Sequence, residues 1–197
     1  EGEGEGEGEG EGEGEGEGEG DPEPPTEPIR DPDPNHPDNA TRDSDCDGLT
    51  DLEEYTIVYA GGARTSPADY DSDDDGIADG IEAGRDADID AECPATWKDT
   101  DTSTTSSPVA NDSDGDCVHD GVEDGNHNGR VDPGETDPTD ADSDGDGLSD
   151  TAEDDDCDGV VDAGETDASD ADTDHDGIND GVEDANHNGV VDAGETD

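Results

Sequence analysis

The chain has 197 residues and a formal net charge of −61, with no Phe or Met, one Trp and three Tyr. So little apolar material cannot offset the entropy of ordering the backbone, which excludes a fold built on an ordinary hydrophobic core. The same negative field excludes nucleic acid and anionic membrane surfaces as partners, and no stretch reads as a transmembrane segment or signal peptide.

Residues 1–20 are ten Glu-Gly pairs. Glycine offers no apolar face and the glutamates repel, so this low-complexity tract is expected to be extended in water. Residues 21–42 form a spacer, Pro-rich over DPEPPTEPIRDPDPNHPD, where polyproline II is the expected conformation.

From Asp43 a twelve-residue pattern takes over, D-x-D-x-D-G-x-x-D-x-x-E. Its acids at positions 1, 3, 5, 9 and 12 are, in chain order, Asp43, Asp45, Asp47, Asp51 and Glu54; Asp71, Asp73, Asp75, Asp79 and Glu82; Asp112, Asp114, Asp116, Asp120 and Glu123; Asp142, Asp144, Asp146, Asp150 and Glu153; Asp172, Asp174, Asp176, Asp180 and Glu183. Three of these first-type loops run directly into a second type. There the same positions hold Asp124, Asn126, Asn128, Asp132 and Glu135; Asp154, Asp156, Asp158, Asp162 and Glu165; Asp184, Asn186, Asn188, Asp192 and Glu195.

Alternating oxygens on a tight loop can converge on one point. Position 7 can add a carbonyl and a glutamate at 12 can close the sphere with both oxygens, which suits calcium, a hard cation taking six to eight oxygen ligands. Glycine at position 6 permits the sharp turn. One ion per loop gives about eight calcium ions. More than half of the 67 acids stand at these positions, a register that solubility alone would not impose.

Each later unit is a first loop, a second loop and a six-residue joint, TDPTDA at 136–141 and TDASDA at 166–171. The joint recurs upstream as TSPADY (65–70) and SSPVAN (106–111). The first unit carries YTIVYAGGAR (55–64) in place of a second loop, and the second unit carries a longer insert, residues 83–105. A fixed period of this size predicts an array whose units contact mainly their neighbours.

DSDGDGLSD and DTDHDGIND, each with an apolar residue after the glycine, make residues 43–197 resemble thrombospondin type 3 repeats of the kind found in bacterial surface proteins. The second-type loops, with Val131, Val161 and Val191 at position 8, are closer to EF-hand or dockerin loops. The resemblance implies a mostly irregular, elongated array wrapped around calcium, with short turns and single helical turns and little regular helix or sheet. Paired EF-hands are not expected, because Glu123 is followed at once by Asp124 and leaves no room for flanking helices.

Cys46, Cys93, Cys117 and Cys157 are an even set in a calcium-demanding chain, which points to an oxidising exterior and two disulfides; three pairings are open. Cys117 stands where the other first loops have glycine. His127, His175 and His187 at position 4 are expected to be solvent-facing spacers. Leu49, Ile77, Val118, Leu148 and Ile178 are expected to be small packing pegs between units.

No nucleophile elbow, phosphate loop or H-E-x-x-H occurs, and no carboxylate pair stands apart as an acid/base couple, so no enzymatic role is expected. The expected role is an extracellular or cell-surface calcium-stiffened rod or spacer. Two alternatives are a subunit of a homopolymeric extracellular fibre, with the N-terminal Glu-Gly tract packing on a neighbour, and an acidic ion-, mineral- or adhesion-binding module. The pattern runs to Asp197 without a distinct capping unit, which favours either stacking on a neighbour, with a homopolymer as the partner, or continuation of the array beyond Asp197.

Overall fold

A computed structural model describes residues 40–86, 93, 98–190, 193 and 195. The Glu-Gly tract, most of the Pro-rich spacer, much of the insert and Asp192 lie outside the described residues. Among those described, the structure is mostly irregular, with short helices and no strand or sheet. The helices are α1 (Asp51–Thr56), α2 (Asp79–Glu82), α3 (Asp120–Glu123), α4 (Asp150–Glu153) and α5 (Asp180–Glu183), with a 3₁₀ turn at Ala60–Gly62.

Every α-helix begins at position 9 of a first-type loop, and α2 to α5 end at its position 12. Their brevity follows from sequence. In α3 to α5 the residue after the glutamate is already the first aspartate of the next loop, and it leaves helical geometry: Asp154 at φ −114° and ψ 90° ends α4. Only α1 continues, because YTIV follows Glu54; Thr50 and Glu53 give it a reciprocal capping box.

The first amide of each helix returns to the residue just before its own loop. Asp51 N donates to Arg42 O (2.9 Å), Asp79 N to Tyr70 O (3.2 Å), Asp120 N to Asn111 O (3.2 Å), Asp150 N to Ala141 O (3.1 Å) and Asp180 N to Ala171 O (3.2 Å). The second-type loops close instead on isolated bridges, Pro133–Glu135, Ala163–Glu165 and Ala193–Glu195.

Leu49, Ile77, Val118 and Leu148 are buried at 0–3% exposure, but Ile178 is 43% exposed. The peg expectation therefore fails at Ile178. Its neighbour Gly177 has open space where a Cβ would stand, whereas Gly76 and Gly147 meet histidine rings there. The compact apolar cluster is small: Ile77, Ala78 and Ile81. Most of the deeply buried side chains are instead carboxylates, including Asp47, Glu54, Asp79, Glu82, Asp120, Glu123, Asp150 and Glu153. The cysteines pair as Cys46–Cys93 (Cα–Cα 5.3 Å) and Cys117–Cys157 (6.0 Å).

Candidate metal centres

The loop is assembled by its own backbone amides. The position-1 aspartate accepts from the far side of the turn: Asp43 from Cys46 N (2.6 Å) and Gly48 N (3.0 Å), Asp71 from Gly76 N (2.8 Å), Asp172 from Gly177 N (2.9 Å). Asp112 and Asp142 do the same through Cys117 N (3.3 Å) and Gly147 N (3.5 Å). Position 5 accepts from position 7, as in Asp47–Leu49 (2.6 Å), Asp75–Ile77 (2.8 Å), Asp116–Val118 (2.8 Å), Asp146–Leu148 (2.8 Å) and Asp176–Ile178 (3.0 Å). At position 5 these bonds use Oδ1 of Asp47, Asp75 and Asp116 and leave Oδ2 without a partner, whereas at position 1 Asp43, Asp71, Asp112 and Asp172 accept at both oxygens.

Many other carboxylate oxygens of the loops are unsatisfied within the protein. Asp45 Oδ1, Asp47 Oδ2, both oxygens of Glu54 and Asp73, Asp75 Oδ2, Glu82 Oε2, Asp114 Oδ2, Asp116 Oδ2, both oxygens of Glu123, Asp144 Oδ2 and Glu153 Oε2 are buried without a hydrogen-bond partner. A buried carboxylate left so costs several kcal/mol unless it is protonated or meets a cation. Burial accordingly pushes Glu54 and Glu82 up to about 10, Asp47 and Glu123 up to about 9, and Glu153 up to about 8; neighbouring aspartates add to the rise.

Two kinds of cluster, each with its oxygens mutually within 4.8 Å, could hold a metal ion. One lies within a loop: Asp43, Asp45 and Asp47, and again Asp71, Asp73 and Asp75. The other joins two units: Asp47 and Glu54 with Asp79, then Asp75 and Glu82 with Asp120. Asp47 and Asp75 belong to both kinds. Position 9 therefore stands at the site of the loop upstream, which the reading of one self-contained site per loop did not foresee.

What holds position 9 there is a brace that the sequence reading missed. Both oxygens of Asp79 accept from Ser72, from its backbone N (2.8 Å) and Oγ (2.7 Å). Ser44 braces Asp51, Ser113 Asp120, Ser143 Asp150 and Thr173 Asp180 in the same way. The signal was present: position 2 is Ser or Thr in every first-type loop and in no second-type loop. Position 10 then seats on the upstream backbone. A Cβ on Gly80 or Gly121 would overlap the carbonyl oxygen of Asp47 or Asp75, and Thr151 at the same position donates its hydroxyl to Asp116 O. Gly181 N donates to Asp146 Oδ2.

The second-type loops differ. Asp124, Asp154 and Asp184 are buried at the junction and accept from Gly129, Gly159 and Gly189 N, each at 2.7 Å. Asn126, Asp156, Asp158, Asp162, Asn186 and Asn188 are exposed, and Asn128, Asp132, Glu135 and Glu165 half-buried. Several of these carboxylates already have partners: Glu135 accepts from Asn126 Nδ2 (2.6 Å) and Asp132 N (2.9 Å), Glu195 from Asn186 Nδ2 (3.0 Å), and Asn128 Nδ2 holds Asp132 below its ordinary range. In the last first-type loop Asp174 and Asp176 are exposed, while Glu183 is buried.

Two further placements add to the expectation. His127, His175 and His187 are all exposed, but His127 also packs on Gly76 and His187 Nδ1 contacts Gly147 O at 2.7 Å. The loops of His127 and His187 fold back on the preceding unit, so position 4 of a second loop meets protein. Asp99, in the insert, is 1% exposed, packs on Gly129 and has no hydrogen-bond partner at Oδ2.

In these four clusters the donors are all oxygen; the Cys46 and Cys93 sulfurs beside Asp43 are tied in a disulfide and cannot serve as thiolates. No helix among the described residues is long and apolar enough to cross a membrane. Comparison with protein families, curated proteins and solved structures finds no match to the chain.

Proposed function

We propose that the chain is an extracellular calcium-binding structural protein, a thrombospondin type 3-like rod or spacer in which cations replace the missing apolar core. The observation that carries this reading is Glu54. It is 1% exposed, neither carboxylate oxygen has a partner, and it lies with Asp47 and Asp79 in one cluster. An all-oxygen, multiply charged, turn-built cluster matches calcium better than magnesium, which demands strict octahedral geometry and keeps its waters.

Calcium supplies the positive charge that these carboxylates lack. The chain's residues do the rest: serines hold position 9, backbone amides orient positions 1 and 5, and glycines let units approach. Binding free energy is then folding free energy. The two disulfides agree with an oxidising exterior. The first-type loops are the stronger sites and the second-type loops the weaker, since their side chains are more exposed and already hydrogen-bonded.

The test is circular dichroism and amide exchange with calcium and with excess EDTA, alongside metal analysis of the purified protein. At about pH 10, where protons no longer neutralise the buried glutamates, order over residues 43–197 should appear only with calcium; protection that persists in EDTA at that pH refutes the proposal. A self-associating form of the rod is a second reading, favoured by Val160, Val161, Ile178, Val182 and Val190, which are 43–66% exposed. Sedimentation in calcium tests it, and a concentration-independent monomer rules it out.

A further inference from the structure

Besides the contacts of positions 9 and 10, each of the first four first-type loops is touched by a cysteine or histidine from the unit that follows. Cys93 of the insert is bonded to Cys46 in the first loop. His127 covers Gly76 in the second, with its Cε1 2.9 Å from where a Cβ would stand. Cys157 is bonded to Cys117 in the third, and His187 Nδ1 meets Gly147 O at 2.7 Å in the fourth. In the last three cases the partners hold the same positions: 4 in a second loop, 6 in the first loop upstream.

The backbones match as well. Position 4 is left-handed at His127 (φ 55°), Cys157 (58°) and His187 (54°), and position 6 at Gly76 (105°), Cys117 (95°) and Gly147 (103°). Cysteine at position 6 therefore occupies a glycine conformation, a strained one for a residue with a Cβ. It occurs only where position 4 downstream is also cysteine. The cysteine that replaces glycine in this one loop is half of a pair.

We propose that position 4 of the second loop is a latch on the first loop one unit upstream, that Cys117–Cys157 is the covalent form of the latch made by Gly147 and His187, and that the closed latch holds the upstream loop in its cation-binding shape. The last clause rests on the reading of first-type loops as calcium sites. The joints then alternate along the chain, disulfide and histidine. Only the disulfide joints respond to a dithiol: two electrons and two protons turn the bridge into two thiols while the dithiol closes to its own disulfide.

Two variants of the full chain test this. In Gly147→Cys with His187→Cys, oxidative folding in calcium should link positions 147 and 187, seen by peptide mapping and by resistance to alkylation. Two freely alkylated thiols in the folded protein would overturn the equivalence. The second comparison is Cys117→Gly with Cys157→His against Cys117→Gly with Cys157→Ala, which removes the strain at position 117 from both. The histidine variant should reach its calcium midpoint, read from the Val118 amide signal, at about threefold less calcium, the scale of one hydrogen bond. Equal midpoints would overturn the latch. A parent protein that binds no calcium would instead refute the functional reading, and the crosslink result would still decide the geometry.

Discussion

Position 9 of the first-type loop does two jobs with one carboxylate. Asp79 ties down Ser72 of its own loop and joins Asp47 and Glu54 of the loop before it. Asp79→Ala should therefore raise the calcium midpoint of both loops 43–54 and 71–82, while a conventional ligand change such as Asp45→Ala should act chiefly on its own loop. Residue-resolved calcium titration by NMR separates the two; a purely local effect of Asp79→Ala would deny the shared cluster. A second comparison tests register. Asp146 bonds Leu148 N and Gly181 N, whereas the His175 side chain is 73% exposed. Asp146→Ala should weaken calcium binding at least tenfold, about 1.4 kcal/mol or more, and His175→Ala should leave it within error.

The single-turn helices serve as seats. Each is too short to be stable alone; α2 to α5 are fixed by a backbone bond to the preceding joint and by position 10 lying on the upstream carbonyl. Gly121→Ala would force its methyl group into Asp75 O and should cost about 1–3 kcal/mol, the range for overpacking a close contact. Gly125→Ala meets nothing nearer than 3.7 Å and does not need a positive φ, so it should change stability by less than about 0.5 kcal/mol. Thermal unfolding in calcium compares them. The turns and the clustered carboxylates were legible in sequence, because D-x-D-x-D-G states turn and acids together. The seats were not: a glycine at position 10 has no periodic meaning until another unit is laid beside it, and the Ser-Asp brace links positions 2 and 9 across a turn, with no helix running between them. The disulfide pairing was equally closed to sequence, since it depends on which unit lies over which.

Across the molecule, the buried glutamates set a competition between protons and cations. Without metal, the folded-state values of Glu54, Glu82, Glu123 and Glu153 are raised to about 8–10 from an ordinary 4.5. The folded form thus holds more protons than the unfolded chain above pH 4.5, and its stability falls as pH climbs through that window. In EDTA, order should be greatest near or below pH 4.5 and fade by about pH 8–10. In saturating calcium the dependence reverses: binding releases protons, and affinity rises with pH until those groups are ionised. Circular dichroism across pH, with and without calcium, checks both limbs; metal-free order that grows with pH would contradict the burial of these carboxylates.

The shared clusters also redraw the unit. Sequence places a boundary at the joint 65–70, between Glu54 and Asp71, yet Asp79 beyond that boundary completes the surroundings of Glu54 before it. A protease cut or an excision at the joint would strip the upstream loop of a charged neighbour while leaving its own twelve residues intact. The smallest piece that carries one complete inter-unit cluster is therefore a pair of successive loops, and a deletion that keeps the spacing of motifs can still sever the contacts that make one of them work.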